Sequence, residues 1–267
     1  MSVRSLSVRS VLGAARRRVQ LSLQRRPARL RNGDPIVSFT FDDFPRTAYT
    51  AGGRILEQFG VRGTFYAAYG LRNTANESGE QFRAEDVELL LEKGHELGSH
   101  TFGHVSCRAL SRAAFCEDVT KGNQAIAGAS GVDAPNFAYP FGHMTVQTKR
   151  ALGSGVASAR SNVPGFNGPE IDLNMLLANR LYGGIDQARR MEELIAENAK
   201  RKTWLIFYTH DVQPNPSPYG CTPALFEATV ACAVRHGCRI LTVQKTLEYA
   251  EVQDGKAKGH VRRPVSA

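Results

Sequence analysis

The stretch that decides the fold of this chain is Ile36-Val37-Ser38-Phe39-Thr40-Phe41-Asp42-Asp43-Phe44-Pro45. It joins an apolar run, typical of a buried strand, to two adjacent carboxylates. Side chains alternate along a strand, so Asp42 and Asp43 cannot both face the core. At the carboxyl end of the strand, both can reach into a cleft. The two anions repel each other, and a metal ion that binds one and leaves the other as a base would relieve this repulsion. A simple turn before Pro45 is the alternative interpretation.

Predicted strands and helices alternate along the chain that follows. Strands are predicted over 36–41, 63–69, 95–99, 135–139, 155–159, 203–208 and 239–243, and helices over 47–59, 85–93, from 111, 145–152, 186–200 and 223–236. This alternation indicates a parallel α/β sheet, and the continuous apolar strands indicate burial on both faces. An open doubly wound sheet and a closed barrel both satisfy the pattern. No G-x-G-x-x-G or G-x-x-x-x-G-K motif is present, so a nucleotide-binding loop is not supported.

The net charge of +9 comes from one end of the chain. Nine arginines and no acidic residue lie within residues 1–31, so the rest of the chain has 25 basic and 25 acidic residues. A nucleic-acid-binding body should carry its own basic face, and we therefore expect no nucleic-acid partner. The length of 267 residues fits one large domain.

Polar residues cluster at the predicted carboxyl ends of strands, where α/β folds build their sites. Besides the two aspartates, these segments are 99–104 (Ser-His-Thr-Phe-Gly-His), 137–142 (Phe-Ala-Tyr-Pro-Phe-Gly) and 209–211 (Thr-His-Asp). His100 and His104 are four residues apart, a spacing that brings two imidazoles to one metal ion on a helix or tight turn. With one carboxylate they predict a metal site with open positions for water and substrate.

This ordered set of segments resembles the polysaccharide deacetylases of the NodB-homology type, carbohydrate esterase family 4. The resemblance extends over about residues 35–245. It rests on T-F-D-D at 40–43, H-T-x-x-H at 100–104, a Y-P-F-G turn at 139–142 and an apolar strand that ends in His210. It implies an irregular (β/α) barrel of parallel strands surrounded by helices. It also implies metal-dependent removal of an N-acyl group, usually N-acetyl, from an amino sugar.

The resemblance further implies a role for each residue of the set. A divalent metal ion, most commonly Zn²⁺ with Co²⁺ or another divalent ion as alternatives, would be bound by Asp43, His100 and His104. Asp42 would act as the general base, and His210 would protonate the departing amine. The backbone N–H of Phe141 would stabilise the oxyanion together with the metal.

Three features depart from the family pattern. Phe44 stands where a glycine usually follows the aspartates, and we expect its ring to reshape the mouth of the site and narrow the substrate range. Ala138 stands where the best-known members have an arginine that pairs with the base. We expect Arg180 to supply that charge from another strand, with a surface arginine as the alternative. No Asp-Trp motif is present, and Asp172 is the best candidate to orient His210.

The expected function is removal of an N-acetyl group from an amino sugar in a glycan, glycolipid or lipid-linked precursor. The expected partner is therefore an N-acetylated saccharide, with Tyr49, Tyr69 and Tyr182 as candidate stacking residues. One alternative is an amidohydrolase acting on a small non-sugar amide, as in allantoinase-like relatives. The other is a glycan-binding homologue with weak turnover, which Ala138 motivates and the full set of base, acid and ligands disfavours.

The predicted catalytic domain spans residues 34–250, between a basic leader at 1–33 and a polar tail at 251–267. The leader is expected to be a disordered tail or a helix on an anionic membrane surface. It lacks the apolar segment of a secretory signal, and no apolar run in the chain approaches about 18 residues. We therefore expect a cytoplasmic protein, with peripheral contact at the inner membrane face, and five cysteines in the reduced form.

Overall fold

The computed structural model describes residues 22–153 and 155–250, and the backbone of 253–254. Its strands are β1 (Pro27–Arg29), β2 (Ile36–Asp43), β3 (Thr64–Ala67), β4 (Ala75–Asn76), β5 (Gly79–Glu80), β6 (Glu96–Ser99), β7 (Asn136–Ala138), β8 (Ser158–Arg160), β9 (Glu170–Asp172), β10 (Asn179–Arg180), β11 (Trp204–Thr209), β12 (Arg239–Ile240) and β13 (Gln253–Asp254). Its α-helices are α1 (Arg54–Gln58), α2 (Ala84–Glu92), α3 (Arg112–Ser130), α4 (Val146–Leu152), α5 (Ala188–Arg201), α6 (Pro223–Arg235) and α7 (Val243–Tyr249).

The main sheet consists of parallel strands in the order β10-β11-β2-β3-β6-β7-β8, with β12 also pairing with β2. This sheet curls into the half-barrel of an irregular (β/α) barrel. Its two edges are linked by one segment, because Leu176 bridges Arg160 at the end of β8 and the same segment continues into β10. The predicted α/β barrel is therefore confirmed.

β2 and β11 are adjacent strands in the interior of this sheet. Every side chain of both strands is buried, as their continuous apolar character predicts. Six residues pair in parallel register, from Trp204 with Ile36 to Thr209 with Phe41. The residues that follow the last pair on each strand therefore emerge side by side at the carboxyl edge.

The helix ends follow the local sequence. Ser111 Oγ accepts the N–H of Ala114 at 3.2 Å and caps α3, which confirms the predicted start of this helix. Gly131 ends α3 with a left-handed φ of 69°. The helix predicted over 47–59 begins instead as a π-helical segment, Ala48–Gly53, before α1. A Cβ on Gly52 would lie 2.7 Å from the Phe41 ring, so glycine permits this segment to pack closely on β2.

The first described strand lies within the predicted leader. β1 pairs antiparallel with β9 and β13 in a separate three-stranded sheet. The Arg26 N–H donates to Asp172 Oδ1 at 2.9 Å. The predicted leader boundary at residue 33 therefore needs correction, because backbone pairing makes residues 26–29 part of the folded domain. β9 also forms in a segment for which the sequence predicts neither a strand nor a helix. Residues 1–21 of the leader, and 251–252 and 255–267 of the tail, lie outside the described residues.

None of the helices in the described part of the chain combines the length and the hydropathy needed to cross a bilayer. All five cysteines are buried and free of disulfides, in agreement with the prediction of reduced thiols.

Candidate active site

The carboxyl ends of β2, β3, β6 and β7 form one edge of the barrel. In-register pairs connect Asp43 to Ala67, Ala67 to Ser99, and Ser99 to Phe137. The residues that follow these pairs therefore reach the same edge, although they lie almost a hundred positions apart in the sequence. Ligands bind at this end of the strands in α/β folds.

Asp43, His100 and His104 come together at this edge. One ligand atom of each lies within 4.8 Å of the other two. Asp43 Oδ1 lies 3.0 Å from Nε2 of His104 and 3.4 Å from Nε2 of His100. The N–H of His104 donates to Thr101 Oγ1 at 3.1 Å, which closes a tight turn between the two histidines. The structure thus assembles the predicted ligand set, and two imidazoles with a carboxylate are ligands that suit Zn²⁺.

The carboxylate of Asp43 faces two imidazoles at the centre of this set. The side chain is buried, and its Oδ1 has no hydrogen-bond partner among the described residues. Burial opposes ionisation, but the neighbouring His100 and His104 outweigh this effect and hold the pKa of Asp43 well below its ordinary value. A buried carboxylate that stays ionised needs a cation nearby. These properties fit a divalent metal ion.

The ring of His100 is oriented for ligation by its other nitrogen. Its Nδ1 lies 2.8 Å from the Ala138 carbonyl oxygen. A carbonyl only accepts, so Nδ1 carries the proton and Nε2 faces Asp43 with a lone pair that a metal can take. Ala138 therefore serves the site through its backbone.

Arg160 supplies the positive charge that Ala138 lacks. Its Nη2 donates to Asp42 Oδ1, and both side chains are buried. Arg160 is the last residue of β8 and pairs in register with Ala138 on β7. The guanidinium therefore reaches the predicted base from the strand beside the one that bears the motif position.

Two tyrosine rings enclose the Arg160 guanidinium. Its central carbon lies 5.2 Å from the ring centroid of Tyr66 and 5.0 Å from that of Tyr208. Nη1 also donates to the Ser161 carbonyl at 3.0 Å. Burial disfavours the charged guanidinium, but Asp42 outweighs this effect and raises the pKa of Arg160. Stacking and hydrogen bonds thus fix the side chain, and through it the Asp42 carboxylate.

The prediction that Arg180 pairs with Asp42 is wrong. Arg180 is exposed, and its Nε donates to the Tyr208 hydroxyl at 3.3 Å. Its strand β10 is separated from β2 by β11, so the side chain contacts β11 and not Asp42 on β2. The sequence signal for Arg160 was its position directly after the predicted strand 155–159.

His210 directly follows β11, the strand next to β2, which bears Asp42. The last register pair between β11 and β2 is Thr209 with Phe41, so the next residues, His210 and Asp42, follow side by side. His210 Nδ1 lies 3.2 Å from the Tyr219 carbonyl oxygen. This contact orients the imidazole and assigns Nε2 to any chemistry with a substrate.

Asp172, which we expected to orient His210, belongs to another part of the molecule. It is buried in β9, where Lys149 Nζ lies 2.9 Å from its Oδ2. The expectation is wrong because the Gly/Pro-rich loop forms a strand that pairs with β1. Asp211 instead stabilises the loop beside His210, accepting the Ser217 N–H at 2.8 Å.

Phe141 and Phe44 have opposite surroundings. Phe141 is 54% exposed, and its ring centroid lies 4.6 Å from that of His104, so it stands beside the ligand set. Asn162 Nδ2 donates to the Phe141 carbonyl at 3.1 Å and stabilises the turn. Phe44 is fully buried and stacks on Phe82 at 5.0 Å. The expectation that Phe44 reshapes the mouth is wrong, because its ring packs into the core.

Left-handed backbone is concentrated in the loops of this site. Its non-glycine residues with positive φ are Asp43 (64°), Phe44 (69°), Thr101 (66°), His104 (52°) and Phe141 (58°). Such a conformation costs of order 1 kcal/mol per residue and persists where the surroundings enforce it, commonly at functional sites. Two of the three ligands are thus positioned by strained turns.

His95 and His143 lie outside the ligand set. His95 Nδ1 accepts the Gly63 N–H at 3.0 Å, and its Nε2 lies 3.4 Å from Glu57 Oε1, so this histidine has a structural role. His143 Nδ1 lies 2.8 Å from Ser106 Oγ.

Comparison with known proteins supports this interpretation of the site. The family model described as polysaccharide deacetylase matches residues 29–155. This range contains both aspartates, both ligand histidines and the turn with Phe141. No curated protein matches the sequence.

Solved structures of the same fold include a chitin deacetylase and two proteins of the CE4 family. The chitin deacetylase from the fungal pathogen Colletotrichum lindemuthianum is 19% identical, with a TM-score of 0.59 over 86% of this chain and 96% of that chain. The Xyl-CE4 domain of a multidomain xylanase, from the hindgut metagenome of Trinervitermes trinervoides, is 16% identical, with a TM-score of 0.55 over 85% and 96%. A CE4 family pseudoenzyme from Bacillus anthracis is 13% identical, with a TM-score of 0.51 over 81% and 66%. At these identities the likeness shows a shared fold.

The family match, the barrel topology and the side chains at the carboxyl edge agree with one another. Residues 29–155 thus match the polysaccharide deacetylase family model, and the barrel has the fold of solved structures from carbohydrate esterase family 4.

Proposed function

We propose that this protein removes an N-acetyl group from an amino sugar in a glycan, glycolipid or lipid-linked precursor. In this proposal a divalent metal ion, most commonly Zn²⁺, is bound by Asp43, His100 and His104. The observation that carries the proposal concerns Asp42. This second carboxylate is adjacent to a ligand, yet it is kept out of the ligand set by its pairing with buried Arg160. A protein that only bound a glycan would need no such base.

A divalent ion at this site would lower the pKa of a water molecule and polarise the acyl carbonyl. Asp42 then accepts a proton from the attacking water, because Arg160 engages Oδ1 and Oδ2 remains as the basic oxygen. The backbone N–H of Phe141 donates to the carbonyl oxygen as negative charge develops there. The left-handed turn at Phe141, stabilised by Asn162, sets the direction of that N–H.

His210 completes the reaction as the general acid. The Tyr219 carbonyl accepts from Nδ1–H and leaves Nε2–H to protonate the departing nitrogen. An amine departs poorly as an anion, so amide cleavage depends on this proton more than ester cleavage does. The acid therefore supports an N-acetyl rather than an O-acetyl substrate.

Exposed aromatic rings support a saccharide substrate. Phe141 on the metal side is 54% exposed, and Tyr219 on the acid side is 44% exposed. Tyr182 is also on the acid side, with its ring centroid 6.1 Å from that of His210 and 6.3 Å from that of Tyr219. The apolar faces of sugar rings stack on such side chains. Of the three tyrosines named from the sequence, Tyr49 and Tyr69 are buried and do not qualify.

The test is acetate release from N-acetylglucosamine oligomers by the metal-loaded protein. We expect release by the wild type and a loss of about 10³-fold in Asp42→Asn, within the range of general-base contributions. Metal content should be the same in both. O-acetylated xylan and allantoin serve as parallel substrates, and turnover of either in place of the amino sugar would contradict the substrate class. Glycan binding without any acetate release would support the non-catalytic alternative, which the Bacillus anthracis pseudoenzyme shows to be compatible with this fold.

For localisation we propose a cytoplasmic protein whose Arg-rich leader contacts the anionic inner membrane face. The support is the charge distribution, with nine arginines and no acid within residues 1–31. The full chain should co-sediment with phosphatidylglycerol vesicles at low salt and not with phosphatidylcholine vesicles. Equal sedimentation of a variant lacking residues 2–21 would refute the role of the leader.

A further inference from the structure

A second cluster of metal-binding side chains lies between α5 and α6. These helices contribute none of the residues assigned to the active site. Glu192 is on α5, Cys232 is on α6, and His236 follows the last residue of α6. One ligand atom of each (a carboxylate oxygen, a thiol sulfur and an imidazole nitrogen) lies within 4.8 Å of the other two.

The cluster is a product of helix geometry. Cys232 and His236 are one turn apart, and the His236 N–H donates to the Cys232 carbonyl at 3.0 Å, so both project from the same helical turn. Gly237 then ends the turn with a φ of 66°. Neighbouring residues of both helices lie in one hydrophobic core cluster, namely Met191, Ile195, Val230 and Ala233. The packing of these apolar side chains fixes Glu192 opposite the other two ligands.

The ligand distances are compatible with one bound ion. Metal–ligand bonds of about 2.0–2.3 Å in a tetrahedral Zn²⁺ site place ligand atoms about 3.5 Å apart. The present separations, each within 4.8 Å, are close enough for rotations of the Glu192 and His236 side chains to adjust them. Glu192 is exposed, so its rotation meets little resistance.

The donor types select the class of cation. A thiolate and an imidazole favour borderline ions such as Zn²⁺ and Co²⁺, whereas Mg²⁺ and Ca²⁺ require oxygen ligands. Three protein ligands leave a fourth position to water. The active-site set contains no sulfur, so the two sites differ in a property that spectroscopy can detect.

We propose that Glu192, Cys232 and His236 form a second metal site, which takes a borderline divalent cation such as Zn²⁺ and ties α5 to α6. On binding, the Cys232 thiol releases its proton to solvent and a sulfur–metal bond forms, with no electron transferred. Because the ion binds the folded arrangement of two helices, it stabilises the native state.

The experiment is a Co²⁺ titration followed by absorption. Only a sulfur ligand gives the intense near-ultraviolet charge-transfer band between thiolate and Co²⁺. We expect this band in the wild type and in Asp43→Asn, which lacks an active-site ligand. Cys232→Ser should lose the band while it keeps acetate release. Cys238→Ser is the matched control, a buried neighbouring thiol outside the cluster, and should keep the band.

Two further measurements test whether the three side chains bind one metal ion. His236→Gln should weaken Co²⁺ binding at this site at least tenfold, and Zn²⁺ should raise the thermal midpoint of Asp43→Asn but not of Asp43→Asn/Cys232→Ser. Absence of the band in folded wild type, its persistence in Cys232→Ser, or its loss only in Cys238→Ser would overturn the proposal. The absorption band, the Co²⁺ affinity and the thermal midpoints do not depend on whether the deacetylase proposal is correct.

Discussion

Arg160 Nη2 donates to Asp42 Oδ1 from β8, the strand next to the one on which the best-known family members carry the equivalent arginine. Ala138 occupies that family position and is the in-register neighbour of Arg160. The proposed base, Asp42, thus has a buried charge partner, although at a sequence position different from that in the best-known family members. Ala138 therefore ceases to be an argument for a protein without turnover.

Arg160→Lys should reduce kcat by about 100-fold with little change in KM, since a lysine cannot reproduce the fixed guanidinium fork. Arg160→Ala should also lower the free energy of unfolding by about 3–5 kcal/mol, because it leaves Asp42 as an unpaired buried carboxylate. Acetate release and denaturant unfolding measure the two effects. Arg180→Ala is the matched control, and its kcat should stay within about twofold of the wild-type value. Similar losses in Arg160→Ala and Arg180→Ala would contradict the assignment of Arg160 as the charge partner of Asp42.

An arginine restored at the family position should compensate for loss of Arg160. Ala138 and Arg160 are in-register neighbours on adjacent strands, so their side chains project from the same face of the sheet. We expect the activity of Arg160→Ala/Ala138→Arg to be at least tenfold higher than that of Arg160→Ala. Acetate release from the same substrate compares the three proteins. A folded double variant with no recovery would show that the two positions are not equivalent.

Loss of a ligand should remove one equivalent of metal. His100→Ala and Asp43→Asn should each bind one divalent ion fewer per chain than the wild type and should lose acetate release, because two ligands seldom retain Zn²⁺. Elemental analysis after dialysis provides the measurement. His143→Gln is the control, since His143 bonds Ser106 and should leave the metal content unchanged. Unaltered metal content in His100→Ala would refute the ligand set.

His95 should make stability depend on pH. Burial lowers the pKa of His95 to about 4 from an ordinary value of 6.5, because it disfavours the charged imidazolium more than the neighbouring Glu57 stabilises it. Between these values the unfolded state binds the proton and the folded state does not, so stability decreases as pH falls from 6.5 to 4. The full contribution is about 3 kcal/mol.

Denaturant unfolding at fixed metal concentration from pH 4 to 8 measures this dependence. His95→Gln has no imidazole to titrate, so its stability should fall less steeply over the same interval. Parallel curves for both proteins would rule out His95 as the source.

Asp172→Asn should lower stability without lowering kcat. Lys149 would remain as a buried cation without its carboxylate, at a cost of about 3–5 kcal/mol. Thermal unfolding and acetate release below the transition separate the two effects. Selective loss of kcat, with normal stability, would restore Asp172 as a partner of His210.

Much of the barrel and of the ligand set could be predicted from local sequence. Buried strands such as β2 and β11 read as continuous apolar runs, and the paired aspartates and the H-x-x-x-H spacing follow strands at their carboxyl ends. Local patterns suffice here because each strand places its own last residues at the same edge of a parallel sheet. The start of α3 after Ser111 could also be predicted, since a helix cap is a short-range interaction.

The chain by itself determined which strand ends bear Asp42, Asp43, His100, His104 and His210, because their positions depend on short apolar runs and spacing. Only the tertiary structure decided that Arg160 pairs with Asp42, that Arg180 turns to Tyr208, and that Asp172 joins β1. The physical reason is that strand order and register bring together residues far apart in sequence. A buried charge then pairs with whichever partner that arrangement places within reach.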